Sequence, residues 1–250
     1  MIAAATLAAL AVGVSPCQDP AAAMLCPDLT MAPAADLRYE RRRKGRRVVL
    51  RMTSAIVNLG PGPAELFAQR TGPRTMTARQ VLTDAEGGRH RVVTGAVVQL
   101  TSVPTRGGDY WKFHDAARFE LWSIDSGGAP TRLLRTGPKH NYCLRDLVKV
   151  RAEPGVPRKP RFGACNQEEG RRQVTLGTSF GWADVYPATY PGNYINVTGL
   201  RGCFAIVQRA DPANHILETN EADNASLRIV RLPYRRGRPS RCPQPPVPAR

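Results

Sequence analysis

The sequence has 250 residues, enough for one large domain or two small ones with a buried hydrophobic core. Its formal net charge is +16, and the charge comes almost entirely from arginine because the chain contains only five lysines. Aromatic residues make up 6% of the chain, glycine and proline occur 22 times each, and no long apolar stripe repeats with the period of a helix. The composition therefore argues against a helical protein and favours short strands joined by turns. No Ser-His-Asp arrangement, Walker loop or dinucleotide fingerprint occurs in the sequence.

The chain begins with an apolar stretch, residues 1–14, which is too short to span a membrane. This stretch resembles the hydrophobic part of a secretion signal, although no basic residues precede it. We therefore expect residues 1–16 to be the remnant of a secretion signal. The protein is then expected to be secreted or otherwise located outside the cytoplasm.

Strand-like patterns follow along the chain, separated by turn signals. The predicted strands cover residues 37–40, 47–57, 77–82, 90–103, 118–124 and 131–135. Residues 153–172 are rich in proline, glycine and charge, which indicates a long surface loop. In the C-terminal third, apolar residues such as Ile195 and Val197 alternate with polar ones, as in a half-buried strand. This spacing predicts an all-β fold, a β-sandwich with long irregular loops.

We expect one β domain over residues 17–232, followed by a tail over residues 233–250 that is rich in proline and arginine. The domain contains five of the six cysteines, and the tail contains the sixth. An even number of cysteines, with no C-x-x-C pair, favours disulfides over a metal site and supports export. Neighbours in sequence close the smallest loops. Sequence alone leaves fifteen pairings for six cysteines, and some of the cysteines could instead be buried thiols. On the criterion of the smallest loops, we favour Cys17–Cys26, Cys143–Cys165 and Cys203–Cys242.

Two arginine-rich runs, residues 41–47 and 235–241, stand out from an otherwise scattered positive charge. We interpret the first as the tip of a charged hairpin and the second as part of the tail. A strongly basic surface attracts polyanions, so anionic surface polymers are candidate partners. Nucleic acid is less favoured because no aromatic residues are interleaved with the basic ones.

The most informative segment is residues 107–125, in which Tyr110, Lys112 and His114 occupy alternate positions. Residues two apart in a strand point to the same face, so a His-x-His-x-His run there would direct three imidazoles at one point. Such a cluster is a natural copper site. In this chain only the third of these positions is a histidine. Further candidate ligands are Asp109, Asp115, His140 and the Tyr110 phenolate, and in a regular strand Asp115 is expected to face away from His114.

Two downstream segments add to this pattern. Lys139 begins a Lys-x-x-aromatic-Cys-Leu-x-Asp segment, and Tyr186 ends a Gly-x-x-Asp-x-Tyr segment. Other parts of the pattern are Phe119-Glu120-Leu121, residues 194–198 and residues 218–224. In order and spacing, these motifs resemble the lysyl oxidase catalytic domain. The resemblance covers residues 110–232, about half of the chain.

The resemblance implies a cofactor and an activity. In lysyl oxidases, copper and oxygen convert the tyrosine to a quinone, and the lysine amine adds to its ring. The resulting lysine tyrosylquinone oxidises a primary amine, of peptidyl lysine or a small molecule, to an aldehyde, and ammonia and hydrogen peroxide are released. The resemblance therefore implies that Lys139 and Tyr186 form this cofactor. It also implies that His114 belongs to the copper site, in which Tyr110 and Lys112 replace two histidines.

The residues also allow plainer interpretations. In a chain that uses arginine by default, a lysine at position 139 is unusual, and only an amine can lose its proton and attack a ring. Taken alone, however, Lys139 could be a surface lysine, Tyr186 a packed aromatic residue and His114 a structural histidine. The Lys112 ammonium could occupy the position of the missing metal and hold Tyr186 or a carboxylate. Two hypotheses follow: a copper- and quinone-dependent amine oxidase, or a non-catalytic, exported basic binding protein on the same scaffold.

Overall fold

The computed structural model describes residues 15–42, 46–103, 107–237 and 241–245. Of the predicted secretion signal over residues 1–16, residues 1–14 lie outside these ranges. Within them the regular structure is almost entirely β, apart from a short 3-10 helix at Pro20–Ala22. The predicted all-β class is confirmed, and the strands form a sandwich-like arrangement of several sheets.

The strands are numbered in chain order. They are β1 (Met24–Leu25), β2 (Leu29–Met31), β3 (Ala35–Arg42), β4 (Arg47–Asn58), β5 (Ala64–Gly72), β6 (Thr75–Asp84), β7 (Arg89–Val92), β8 (Val97–Val103), β9 (Gly108–Phe113), β10 (Ala117–Ile124), β11 (Pro130–Thr136), β12 (Val148–Lys149), β13 (Gln173–Thr178), β14 (Trp182–Tyr186), β15 (Tyr194–Asn196), β16 (Gly202–Ala210) and β17 (Ala225–Leu232).

Three sheets share one main hydrophobic core. The first has the order β13-β5-β6-β8-β9, with β1 and β7 also paired to β6. The second has the order β11-β10-β16-β17. In the third, β4 is the common partner of β2, β3, β14 and β15, and β12 pairs with β14. Leu50, Met52 and Ile56 of β4 are buried in the core, which explains why this long strand can organise a whole sheet.

The predicted elements agree best where apolar residues alternate without interruption. The hairpin predicted at residues 41–47 is present, because β3 and β4 pair as far as Arg42 and Arg47; its tip, residues 43–45, lies outside the described ranges. The single strand predicted over residues 90–103 is wrong. Two strands, β7 and β8, occupy this region and are separated by a break in which Gly95 has a φ of +82°. The long loop predicted over residues 153–172 contains no strand.

Strand β16 is buried on both faces. Phe204 and Ile206 pack in the main core, whereas Ala205 and Val207 belong to a second, small cluster. Cys242 packs against that second cluster. The tail is therefore held against the second sheet, as predicted from the cysteine pattern.

All six cysteines are paired in the predicted way, as Cys17–Cys26, Cys143–Cys165 and Cys203–Cys242. The middle bond joins two irregular segments that cover the outer edge of β9. Trp111 donates its backbone N–H to the Asn166 carbonyl at 2.9 Å, and Phe113 donates to the Tyr142 carbonyl at 2.8 Å. These bonds use β9 backbone groups that an exposed edge strand would present to solvent.

Disulfides are typical of oxidising surroundings outside the cytoplasm. Among the described residues, there is no helix with the length and apolar character needed to cross a membrane.

Candidate functional site

Residues 137–144 run along the end of β9 and the start of β10, and this path builds the candidate site. Ala117 donates its backbone N–H to the His140 carbonyl at 3.1 Å, and Phe113 and Tyr142 form an isolated antiparallel bridge. The segment therefore brings residues 139–142 next to the strand that contains Lys112. Tyr142 is fully buried, which anchors the segment in the core.

The amine of Lys139 lies over the ring of Tyr186. Its Nζ is 3.7 Å from the ring centroid and donates a hydrogen bond of 2.6 Å to the Asn141 carbonyl. Tyr186 is the last residue of β14, opposite Ser54 of β4, and only 5% of it is exposed. The structure thus brings together the two residues to which the resemblance assigns the cofactor.

Two further tyrosines complete an aromatic cage around Lys139. Its Nζ lies 3.8 Å from the centroid of Tyr142 and 5.1 Å from that of Tyr190. The Tyr186 ring meets both of these rings edge-on, with centroids 4.7 Å and 4.6 Å away. Three rings therefore enclose one amine, and two of them are equally close to it.

Burial is the main influence on protonation in this cage. It lowers the pKa of Lys139 well below its usual value, and the neighbouring Lys112 lowers it further, while Asp184 opposes the change. A lysine that loses its proton readily supplies the neutral amine that nucleophilic attack requires. Burial and Asp184 raise the pKa of Tyr186 well above its usual value, so its ring is held as a phenol.

Asp184 is the buried anion of the site. It is fully buried on β14, two residues before Tyr186, and therefore shares a strand face with it. Arg145 approaches its Oδ1 with an Nε–O distance of 3.6 Å. Burial raises the pKa of Asp184 to about 6, and the positive charges of Lys139, Arg145 and Lys112 limit the rise. Two lysine amines and one guanidinium thus lie near a single carboxyl group.

Lys112 belongs to the same cluster. It is only 2% exposed, and its Nζ donates a 2.7 Å hydrogen bond to the Tyr190 hydroxyl. The Nζ also lies 5.4 Å from the Tyr110 ring centroid and 5.7 Å from that of Tyr186. Burial lowers the pKa of Lys112 to about 8, so it is still an ammonium at neutral pH. A protonated amine has no lone pair for a metal and repels a cation. The first two positions of the strand pattern therefore do not fit copper.

His114 and Asp115 differ from the prediction made for them. Strand β9 ends at Phe113, so both residues lie in a turn, and Asp115 has a left-handed φ of +53°. The expectation that Asp115 faces away from His114 is wrong, because its Oδ2 lies 3.4 Å from the His114 Nε2. His140 joins them, with its ring centroid 5.5 Å from that of His114. The fourth candidate ligand, Asp109, instead forms a 2.7 Å ion pair with Arg74.

Sequence reasoning missed most of the residues around the central pair. Tyr142 and Asp184 occupy specified positions in the two motifs that contain Lys139 and Tyr186. Their place in these motifs could have identified them as site residues. Arg145 and Tyr190 gave no comparable signal. Their contacts depend on how two separate loops fold over β14.

No family model and no curated protein matches the sequence. Membership of the lysyl oxidase family is therefore a proposal. Its support is the order of the motifs and the contact between Lys139 and Tyr186.

Proposed function

We propose that this protein is an exported amine oxidase of the lysyl oxidase type, with a redox cofactor formed from Lys139 and Tyr186. The observation that carries the proposal is the position of the Lys139 amine, 3.7 Å from the Tyr186 ring centroid. In lysyl oxidases the quinone supplies the chemistry that oxidises primary amines to aldehydes. The proposed substrates are accordingly primary amines, either peptidyl lysine or small molecules.

The surroundings of the pair suit this chemistry. The lowered pKa of Lys139 favours the neutral amine, which is the form that can add to a ring. Asp184, whose pKa is raised to about 6, is suited to accept a proton at neutral pH. An open cavity of about 190 Å³, lined by Lys139, His140, Asp115 and Arg118 among others, connects the Lys139 side of the pair to solvent.

The test is peptide mass mapping of protein produced with and without copper. Trypsin cannot cut after a cross-linked Lys139, so a linkage would give a species that joins residues 136–145 to residues 173–201. The expected result is this species in the copper-loaded protein, together with quinone staining and with formation of hydrogen peroxide from oxygen when a primary amine is supplied. Intact residues 136–139 and an unmodified 173–201 peptide after copper loading would refute the proposal.

The cage makes a matched control necessary, because Tyr142 is as close to Lys139 as Tyr186 is. Lys139→Arg and Tyr186→Phe should each abolish the linked species and the peroxide. Tyr142→Phe should retain both. A linked species that persists in Tyr186→Phe would assign the chemistry to the wrong tyrosine and would contradict the proposal as stated.

A second candidate function is favoured by Lys112. A buried ammonium at a position where the resemblance implies a copper ligand is compatible with a non-catalytic relative that binds anionic surface polymers. The net charge of +16 supports such a partner. On this hypothesis the mapped peptides are unmodified, whereas binding to polyphosphate is measurable and weakens steeply as salt is added. Unmodified peptides with no salt-dependent binding would exclude both candidates.

A further inference from the structure

We propose that His114, Asp115 and His140 form a binding site for a divalent transition metal. This ligand set is different from three alternate residues of one strand: two ligands come from the turn after β9, and the third comes from residues 137–144. The inference depends only on these side chains and does not require the proposed amine oxidase activity.

The three donor atoms are already close together. The His114 Nε2 and the Asp115 Oδ2 are 3.4 Å apart, and one donor atom from each of the three residues lies within 4.8 Å of the others. Metal–ligand bonds of about 2.0–2.2 Å place neighbouring tetrahedral ligands roughly 3.3 Å apart. His140 is exposed, so a small side-chain rotation closes the remaining distance. Among the described residues, this is the group of histidine and acidic side chains that meets the spacing of a metal site.

The hydrogen-bond partners of the two imidazoles select one neutral tautomer for each ring. The Nδ1 of His114 lies 3.1 Å from the Asn141 Oδ1, and the Nδ1 of His140 lies 3.1 Å from the Pro138 carbonyl oxygen. Both partners are oxygen acceptors, so each Nδ1 must carry the hydrogen. Each Nε2 then has a free lone pair, which is the tautomer that metal-bound histidines adopt when an oxygen orients the ring.

The orientation of Asn141 is itself fixed by its contacts. Its Nδ2 donates to the Thr101 hydroxyl at 2.9 Å. The amide atom that faces His114 must be the oxygen, because a backbone N–H, which can only donate, also points at it. The same oxygen accepts the backbone N–H of Asp115 at 3.2 Å. Asn141 is buried, and it therefore holds two of the three proposed ligands in place.

The donor set indicates the class of metal. Two imidazoles and one carboxylate suit Cu²⁺ and Zn²⁺, and the usual order of stability places Cu²⁺ above Zn²⁺. The cavity that Asp115 and His140 line is open to solvent, so coordination positions are left for water or another small ligand.

The test is metal titration of the full, disulfide-bonded protein without a histidine tag after treatment with a chelator. Calorimetry should show one metal ion bound per protein chain for both Cu²⁺ and Zn²⁺, with Cu²⁺ bound more tightly. The electron paramagnetic resonance spectrum of the Cu²⁺ form should show coupling to two imidazole nitrogens. His140→Ala and Asp115→Asn each change a direct ligand, so each should weaken binding by at least about 10-fold, the lower end of the loss expected when only an outer-shell partner is removed. Both positions are at the surface, so the fold should persist, which circular dichroism can check.

His90→Ala is the matched control, since His90 is an exposed histidine whose partner is Asp84, at 2.7 Å. It should bind metal like the wild type. The inference is overturned if the wild type binds no metal ion, or if His140→Ala binds the metal as tightly as His90→Ala. Lys139→Arg should retain the metal. Metal binding without a Lys139–Tyr186 linkage would support this inference while refuting the amine oxidase proposal.

Discussion

Lys112 and Lys139 are two of only five lysines, and both are buried beside tyrosine rings. Burying an ammonium is costly unless partners compensate. Lys112 has one hydroxyl partner at 2.7 Å, and Lys139 has one carbonyl at 2.6 Å. The fold therefore maintains two buried amines where an apolar pair would be more stable, which is typical of sites kept for function.

The lowered pKa of Lys112 predicts how stability depends on pH. Because its pKa is about 8 in the folded protein and 10.5 as a model value, the unfolded chain binds more protons between these limits. The free energy of unfolding of the wild type should therefore rise relative to Lys112→Met as pH increases from 8 to 10.5. The rise should reach about 3 kcal/mol, at roughly 1.4 kcal/mol per pKa unit. Urea unfolding at several pH values measures it.

Lys149→Met is the control for this comparison, because Lys149 is exposed. Its stability relative to the wild type should not change over the same pH range. An equally flat difference for Lys112→Met would show that the pKa of Lys112 is not lowered.

At single positions, the sequence predicted contacts only where a motif fixed them. The resemblance led us to expect Lys139 and Tyr186 to meet, and they lie together. The orientation predicted for Asp115 was wrong because the prediction assumed that β9 continues to this residue, whereas the strand ends at Phe113. Tyr190 could not be placed, because its loop is held by Asn193, which donates to the Tyr186 carbonyl at 3.0 Å and to the Ser54 hydroxyl at 3.2 Å.

Asp146 is a side chain that organises several elements. Its carboxylate accepts hydrogen bonds from the backbone N–H groups of Arg161 at 2.7 Å and Ser179 at 2.7 Å, and from the Ser179 hydroxyl at 2.8 Å. One buried group thus joins the end of the Lys139 segment to the long loop and to the turn between β13 and β14. Asp146 therefore fixes the approach of that segment to the strand that contains Tyr186.

Asp146→Ala should lower the free energy of unfolding by about 3–5 kcal/mol, because it leaves several buried donors without a partner. Asp146→Asn should lower it less, since its amide oxygen still accepts. Urea unfolding gives both values. Asp125→Ala is the control. Asp125 accepts hydrogen bonds from two backbone N–H groups at 2.9 Å in an exposed turn. Its replacement should lower the free energy of unfolding by only about 1 kcal/mol. Equal losses for the Ala variants at positions 146 and 125 would contradict this account.

Among the strands, β4 was predictable because apolar and β-branched residues dominate it from Val48 to Val57. Strand β5 was missed, since Glu65 and Gln69 interrupt its apolar pattern. Glu65 is nevertheless buried, and Arg89 of β7 makes this possible through a 2.5 Å ion pair. Such compensation joins positions that are distant in sequence, and no local pattern reveals it.

Across the whole molecule, the three disulfides close loops of different lengths. The sequence separations are 9 residues for Cys17–Cys26 and 39 for Cys203–Cys242. If chain entropy dominates, replacing both cysteines of the longer loop by alanine should cost about 4 kcal/mol, against about 3 kcal/mol for the shorter loop. Thermal unfolding of the two double variants shows which disulfide contributes more to stability. Loss of Cys203–Cys242 should also expose the small cluster around Val207, detected as increased dye binding. The reverse order of stability would show that contacts, rather than loop length, dominate.

The Cys143–Cys165 bond has a consequence for the protein's behaviour in solution. Asn166 and Tyr142, which occupy the outer side of β9, each adjoin one of its two sulfur-bearing residues. The bond thus holds two segments against the edge strand of the first sheet. Without this cover, the exposed backbone groups of that strand could pair with strands of neighbouring copies. We expect reduction of this bond to free both segments and so to make the protein more prone to aggregate through that edge.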